Sequence, residues 1–222
     1  MPDPDPTIER LKDRGWQEIA AIDQALAEGR IDEQGWHEAM ASVIKPAYLA
    51  AKNPYAQAGH GGDATTWQAS RSFIADAIHR SGTFLDVGCA SGILMESVQG
   101  WGANKDLRIE PYGLDIVPEF VQRARRRLPH WAHRIHVGNI RTWQPAGDRF
   151  DFVFIRPEYA PAARRAELVG HLLNHVLKAD GRLIIFVGTE EIGFYREICG
   201  LMLRYRTTSV YGPRLGELSD WT

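Results

Sequence analysis

The sequence has few cysteines, almost no net charge and no long apolar run. Two cysteines in 222 residues are too few for a disulfide scaffold or a Cys-rich zinc site. A formal net charge of −2 argues against a strongly basic surface, so we expect no nucleic-acid partner. No stretch approaches the length of a membrane span. Because the first residues also lack the basic flank and apolar run of a signal peptide, we expect a cytoplasmic protein without membrane contact.

The sequence is otherwise that of a globular protein, with 44% hydrophobic and 24% charged residues. Apolar residues recur at helical spacing between residues 8 and 26 and between residues 32 and 44. Lys45-Pro46 is expected to end the second helix. Neither helix can bury its apolar face alone, so we expect residues 1–52 to form a helical extension. This extension would cap the domain formed by residues 53–222 or mediate a homodimer.

From residue 82 onward, short apolar runs alternate with segments of helical pattern. Strands that are apolar on both faces and are separated by helices predict a parallel sheet covered on both sides. The predicted fold is therefore a doubly wound α/β domain. The predicted strands are Thr83–Val87, Tyr112–Ile116, Arg134–Val137, Phe150–Ile155, Gly181–Val187 and Leu203–Tyr211, and the predicted helices are Thr66–His79, Ile93–Trp101, Pro118–Leu128, Ala160–Leu177 and Glu190–Cys199.

Two motifs at the ends of the first two strands predict a ligand site. The first strand runs into LDVGCASG, in which Gly88 and Gly92 permit a tight turn and a close approach of a ligand. The second strand ends at Asp115, whose carboxylate can accept hydrogen bonds from both hydroxyls of a ribose. In a doubly wound sheet, ligands bind beyond the carboxyl ends of the strands. The two motifs together favour a ligand that contains adenosine.

On these residues the sequence resembles the class I S-adenosylmethionine-dependent methyltransferases. LDVGCASG and YGLDI match the glycine motif and the acidic end of the second strand in that family, and VGNI, FDFVFI and LKADGRLIIF follow in the same order. The resemblance covers about residues 60–200. It implies a mostly parallel, seven-stranded, Rossmann-like sheet and S-adenosylmethionine as cofactor. Three positions depart from the common pattern: Ala90 replaces a glycine, Asn139 replaces an aspartate, and Ala179-Asp180-Gly181 replaces a Pro-Gly-Gly turn.

The resemblance also implies roles for individual residues near the cofactor. Arg71 would pair with the cofactor carboxylate, and a solvated helix residue is the alternative. The other implied contacts are Asp86, Gly88, Ala90 and Gly92 around the methionine moiety, Asp115 on the ribose hydroxyls, Ile116, Asn139 and Ile140 around the adenine, and Arg156 at the start of the substrate side.

Three residues are candidates for a catalytic base: His60 in a glycine-rich loop, and Glu158 and Tyr159 just past the fourth strand. A structural or solvated His60 is the alternative. The sequence does not group a third metal ligand with the histidines, so we expect no metal site. The arginine run at 123–127 is interpreted as a solvated helix face.

The function that these expectations predict is methyl transfer to an oxygen or nitrogen atom of a small-molecule acceptor. A non-catalytic module that binds S-adenosylmethionine, or a partner subunit of an active enzyme, is the alternative. A nicotinamide-dependent dehydrogenase is disfavoured, because the G-x-G-x-x-G spacing fails where Ala90 and Ile93 stand.

Overall fold

The computed structural model describes the backbone of residues 6–186 and the side chains of residues 17–186. The chain divides into two compact units, Met1–Ala50 and Ala51–Thr222. The first unit contains helix α1 (Pro6–Ala27) and helix α2 (Glu33–Ala50). Trp36 is buried within this unit, and its indole N–H donates to Asp23 Oδ1 at 2.7 Å.

Helix α2 continues through Pro46, so the prediction that Lys45-Pro46 ends it is wrong. A proline lacks only its own N–H donor, which in a helix would bond to the carbonyl four residues earlier, here that of Ser42. The hydrogen bonds of the turns on both sides keep the helix continuous to Ala50.

The second unit is built on a five-stranded parallel sheet with the strand order β3-β2-β1-β4-β5. Its strands are β1 (Gly82–Val87), β2 (Ile109–Asp115), β3 (Ile135–Val137), β4 (Phe150–Ile155) and β5 (Leu177–Ile185). The order reverses beside β1, which pairs with β2 on one edge and with β4 on the other. The predicted parallel α/β fold is confirmed, and the crevice at this reversal is where such folds bind ligands.

Alternate residues of the central strands pack into two different cores. Phe84, Phe152 and Ile184 belong to one buried cluster, whereas Leu85 and Leu183 belong to the other. Side chains alternate between the faces of a strand, so a sheet buried on both faces needs apolar residues at every position. This is why these strands read as uninterrupted apolar runs.

The helices of this unit differ from the prediction in their ends. The α-helical part of the predicted Thr66–His79 helix stops at Arg71, and a 3₁₀ segment, Ser72–Asp76, follows. The predicted Ala160–Leu177 helix is replaced by a 3₁₀ segment, a short α-helix and a π-helical turn, and Leu177 already belongs to β5. The helices are α3 (Ala64–Arg71), α4 (Ile93–Ala103), α5 (Pro118–Arg127) and α6 (Arg165–His171), with short 3₁₀ segments at Ala56–Ala58, Pro129–Arg134, Pro157–Tyr159 and Ala162–Arg164 and a π-helical turn at Leu172–Val176.

Asp151 ties three strands together at the amino end of the sheet, opposite the crevice. Its side chain is buried and accepts from the backbone N–H and the hydroxyl of Thr83, both at 2.9 Å. Lys178 Nζ donates to it at 2.9 Å, and Arg80 lies 3.1 Å away. Burial alone would raise the pKa of Asp151, but the hydrogen bonds from Thr83 and Lys178 outweigh it and lower that pKa. Asp151 is therefore an ionised structural residue.

The predicted helix Glu190–Cys199 and the predicted strand Leu203–Tyr211 lie outside the described residues. Within residues 6–186, no helix combines the length and the apolar character needed to cross a membrane.

Candidate active site

Residues 88–92, here called the glycine turn, connect β1 to α4 and take an unusual backbone conformation. Gly88 and Gly92 both have a φ of 72°, in the left-handed region that favours glycine. A Cβ atom at Gly92 would also lie 2.7 Å from Leu128 Cδ1. Ala90 has a φ of 44° although it is not a glycine. The turn thus exposes backbone at the carboxyl end of β1 and holds one non-glycine residue in a strained conformation.

Asp115 lies at the end of β2 and holds the glycine turn directly. Its Oδ2 accepts from the Ala90 N–H and its Oδ1 from the Val117 N–H, each at 2.9 Å. A carboxylate oxygen has two lone pairs, so each oxygen can accept one further hydrogen bond. The structure therefore brings together the two motifs that the sequence predicted to converge.

The buried carboxyl groups of Asp86 and Asp115 share one electrostatic environment. Burial raises the pKa of Asp86 well above its usual value, and the charge of Asp115 raises it further. Burial also raises the pKa of Asp115, to about 6, although the hydrogen bonds from Val117 and Ala90 oppose the shift. Near neutral pH Asp115 is ionised, and its charge favours the neutral form of Asp86.

Two large apolar side chains are exposed at the carboxyl ends of neighbouring strands. Ile116 follows Asp115 and is 37% exposed, and Val137 ends β3 and is 47% exposed. Ile140 is buried nearby in sequence, and Asn139 Oδ1 accepts from the Arg141 N–H at 3.0 Å. The carboxamide nitrogen of Asn139 is a further donor. An apolar surface beside polar amide groups suits a flat heteroaromatic ring.

Arg71 and Arg156 both contact the ring of Phe186, just past the end of β5. The guanidinium carbon of Arg71 lies 4.7 Å from the ring centroid and that of Arg156 lies 5.3 Å from it. Phe186 also stacks on Phe73, with a centroid distance of 5.7 Å. Two guanidinium groups are thus held on one aromatic ring at the carboxyl ends of β4 and β5.

The two candidates that follow β4 lie in different surroundings. Glu158 forms an ion pair with Arg156. Tyr159 lies on the glycine turn, because a Cβ atom added to Gly88 would overlap its ring and its hydroxyl. Of these two side chains, Tyr159 is the one in contact with the turn.

His60 is anchored to the start of α3. Its Nε2 lies 3.1 Å from Thr66 Oγ1, and its ring meets Trp67 edge-on at a centroid distance of 5.4 Å. Burial lowers the pKa of His60, and the charge of Arg71 lowers it further, whereas Asp63 opposes the shift. The imidazole is therefore neutral at pH 7 and can accept a proton.

The sequence interpretation missed the contacts of Arg127 and Arg125. Arg127 Nε donates to the Ser91 carbonyl at 2.7 Å, and Arg125 donates to the Ile135 carbonyl. The solvated-face interpretation is wrong for Arg127, which is half-buried, whereas Arg125 makes its contact and is nevertheless exposed. Arg127 stands three residues after the buried Ala124, and this spacing places it beside the buried face of α5. Across the described part of the chain, no three His, Cys, Asp or Glu side chains are grouped to hold a metal ion.

Comparisons with known proteins agree with this geometry. Residues 84–181 match the sequence model of the family described as "Methyltransferase domain". No curated protein sequence matches the chain.

Among solved structures, phosphoethanolamine N-methyltransferase 1 from Haemonchus contortus is 15% identical with a TM-score of 0.53, over 70% of this chain and 33% of that one. Ribosomal protein L11 methylase from Lactobacillus delbrueckii subsp. bulgaricus is 19% identical with a TM-score of 0.50, over 70% of this chain and 75% of that one. A TehB-like methyltransferase from Corynebacterium glutamicum is 20% identical with a TM-score of 0.46, over 76% and 83% of the two chains. This chain thus spans about a third of the Haemonchus protein.

The fold and the glycine turn agree with the family match over residues 84–181. Residues 84–181 form a methyltransferase domain of the class I S-adenosylmethionine-dependent type. The resemblance, the enzyme class and the cofactor predicted from the sequence are thereby confirmed.

Proposed function

We propose that this chain transfers a methyl group from S-adenosylmethionine to an oxygen or nitrogen atom of a small-molecule acceptor. The observation that carries the proposal is the hydrogen bond between Asp115 and the Ala90 N–H. It joins an ionisable carboxylate to a backbone turn that lacks side chains at two positions. A ribose and the chain attached to it need this combination, because hydroxyls require an acceptor and the attached chain requires space.

The residues present fit the cofactor chemically. Asp115 would accept from the ribose hydroxyls through its remaining lone pairs. The proposed contacts are Ile116, Asn139 and Ile140 at the adenine, Asp86, Gly88, Ala90 and Gly92 around the methionine moiety, and Arg71 and Arg156 on the side of the methionine carboxylate and the acceptor. The exposure of Ile116 supports the adenine contact, since an apolar side chain gains most from covering by a flat ring.

S-adenosylmethionine supplies an electrophilic methyl group on a positively charged sulfur. The task of the protein is to align the acceptor atom in line with that methyl group and to exclude water. Tyr159 would contribute to this task, and the closeness of its ring and hydroxyl to Gly88 supports that role. A base is needed only when the acceptor atom arrives protonated. His60 could then take the proton as a neutral imidazole, and Glu158 could do so on release from Arg156.

The proposal also covers the class of acceptor, the cellular location of the enzyme and its overall architecture. A small molecule is favoured over nucleic acid by the net charge of −2. The solved structures similar in fold are titled for a phosphoethanolamine methyltransferase and for a ribosomal protein methylase. We further propose a cytoplasmic enzyme whose sheet reaches seven strands, with residues 1–52 as a cap or a homodimer contact.

Calorimetry with S-adenosylhomocysteine tests the proposed cofactor site. Asp115→Ala is expected to weaken binding more than tenfold, since it removes the carboxylate that would accept from the ribose hydroxyls. Asp148→Ala is the matched control, because Asp148 is exposed in the loop before β4. Equal affinity in Asp115→Ala and wild type would refute the ribose assignment.

A turnover screen with labelled S-adenosylmethionine tests the acceptor. Methylation of small amines, phenols or carboxylates is the expected result. Activity confined to RNA or protein would overturn the small-molecule proposal. Tight cofactor binding without any turnover would favour the alternative, a non-catalytic module or a partner subunit.

A further inference from the structure

We infer that Arg127 is a positioning residue that holds the glycine turn in the conformation required for cofactor binding. The inference rests on the proposed cofactor site. It assigns a function to an arginine on α5, 36 residues away in sequence from the carbonyl that it contacts.

The glycine turn needs support because of Ala90. Left-handed backbone is unfavourable for a residue with a Cβ atom. Such a residue keeps a φ of 44° only where its neighbours fix the adjoining peptide groups. Asp115 fixes one of them by accepting from the Ala90 N–H.

Arg127 holds the peptide group between Ser91 and Gly92, which is separated from Ala90 by one further peptide group. Its Nε donates to the carbonyl of Ser91 at 2.7 Å, while the N–H of the same peptide group, that of Gly92, donates to the Cys89 carbonyl at 2.6 Å. The peptide is thereby held at both polar atoms. The turn is bound by opposite charges, since the Asp115 carboxylate accepts from one of its N–H groups and the Arg127 guanidinium donates to one of its carbonyls.

Two further contacts make this support specific. Arg127 Nη1 donates to Glu96 Oε2 at 2.7 Å, which orients the guanidinium toward the turn. The hydroxyl of Ser91, whose residue is 1% exposed, donates to the Pro54 carbonyl at 2.8 Å. Ser91 is therefore held from α5 and from the segment before α3 at once. The planar, forked donor set of arginine can serve the carbonyl and the carboxylate together, which a single ammonium group does less well.

The experiment compares binding of S-adenosylhomocysteine to full-length variants by calorimetry, with thermal unfolding of each ligand-free variant as a parallel measurement. Arg127→Gln removes both contacts, Glu96→Gln removes only the carboxylate charge, and Arg126→Gln is the matched control on the exposed face of α5. We expect Arg127→Gln to weaken binding about tenfold at unchanged stoichiometry, as the loss of one charge-assisted hydrogen bond predicts. Glu96→Gln should lose less affinity than Arg127→Gln, and Arg126→Gln should bind within about twofold of wild type.

The outcomes separate a positioning function from a structural one. Unchanged stoichiometry shows that the variant is folded, so a weaker affinity then reports on the turn itself. In turnover, Arg127→Gln should raise the KM for S-adenosylmethionine more than it lowers kcat. If Arg127→Gln fails to fold, Arg127→Lys takes its place, with a smaller loss of affinity expected.

Wild-type affinity in a folded Arg127 variant, or an equal loss in Arg126→Gln, would overturn the inference. Failure of the wild type to bind would instead refute the proposed cofactor site.

Discussion

Acid should weaken cofactor binding through Asp115, and the size of the effect follows from its environment. Burial raises the pKa of this carboxyl to about 6, and only the ionised form keeps both oxygens as acceptors for ribose hydroxyls. Above pH 7 most molecules are ionised and the affinity should be constant. Below pH 6 the affinity should fall about tenfold per pH unit, until the pKa of the bound state is reached. Binding at pH 5 should therefore be about tenfold weaker than at pH 8.

The same protonation should act on stability in the opposite direction. The folded pKa exceeds the usual value of 3.8, so the folded state binds this proton more tightly than the unfolded state does. The stabilisation is complete below about pH 3.8 and is lost as the pH rises through 6. Asp115 should thus make the ligand-free protein roughly 1.4 kcal/mol more stable at pH 5 than at pH 8. We therefore expect acid to weaken cofactor binding without a loss of stability through Asp115.

The assay is calorimetric titration of S-adenosylhomocysteine between pH 5 and 8, with urea unfolding at the same pH values. Asp115→Asn is the reference variant, because it retains the shape of the side chain and cannot titrate. Other carboxylates, Asp151 among them, also titrate, so the quantity of interest is the difference between wild type and this variant. Wild-type affinity that does not change with pH, or the same acid effect in Asp115→Asn, would refute the argument.

Three further substitutions test separate parts of the structure. Gly92→Ala should lower the free energy of unfolding by about 1–2 kcal/mol and weaken cofactor binding, because of its φ and the overlap with Leu128; urea unfolding and calorimetry check this. Asp151→Asn should lower the free energy of unfolding by about 2 kcal/mol with cofactor affinity unchanged, and a change in that affinity would contradict a purely structural function. Tyr159→Phe keeps the ring on Gly88, so binding should persist while turnover falls about tenfold in a labelled-methyl assay; wild-type turnover would exclude the hydroxyl from the reaction.

The strands were predictable because burial on both faces leaves a simple pattern. Phe150–Ile155 is apolar at nearly every position, and both its predicted ends agree with β4. The convergence of Gly88 with Asp115 was predictable for a related reason. Parallel strands end at one edge of a sheet, so motifs at the ends of neighbouring strands must meet.

The sequence could not predict which hydrogen-bond partner a side chain takes, because packing decides it. Arg127 and its exposed neighbour Arg126 are the same residue type on one helix, yet one binds the Ser91 carbonyl. The end of α3 at Arg71 could not be predicted either, since the apolar spacing continues through the 3₁₀ segment to Asp76. A pattern of residue types gives the buried face of a helix but neither its hydrogen-bond partners nor its last turn.

The most direct test of the account is calorimetric titration of the full-length chain with S-adenosylhomocysteine at pH 8, in wild type and in Asp115→Ala. The account predicts saturable binding with one site per chain in wild type and at least tenfold weaker binding in the variant. Undetectable binding in folded wild type, or equal affinity in both proteins, would contradict the claim that the glycine turn and Asp115 form the cofactor site.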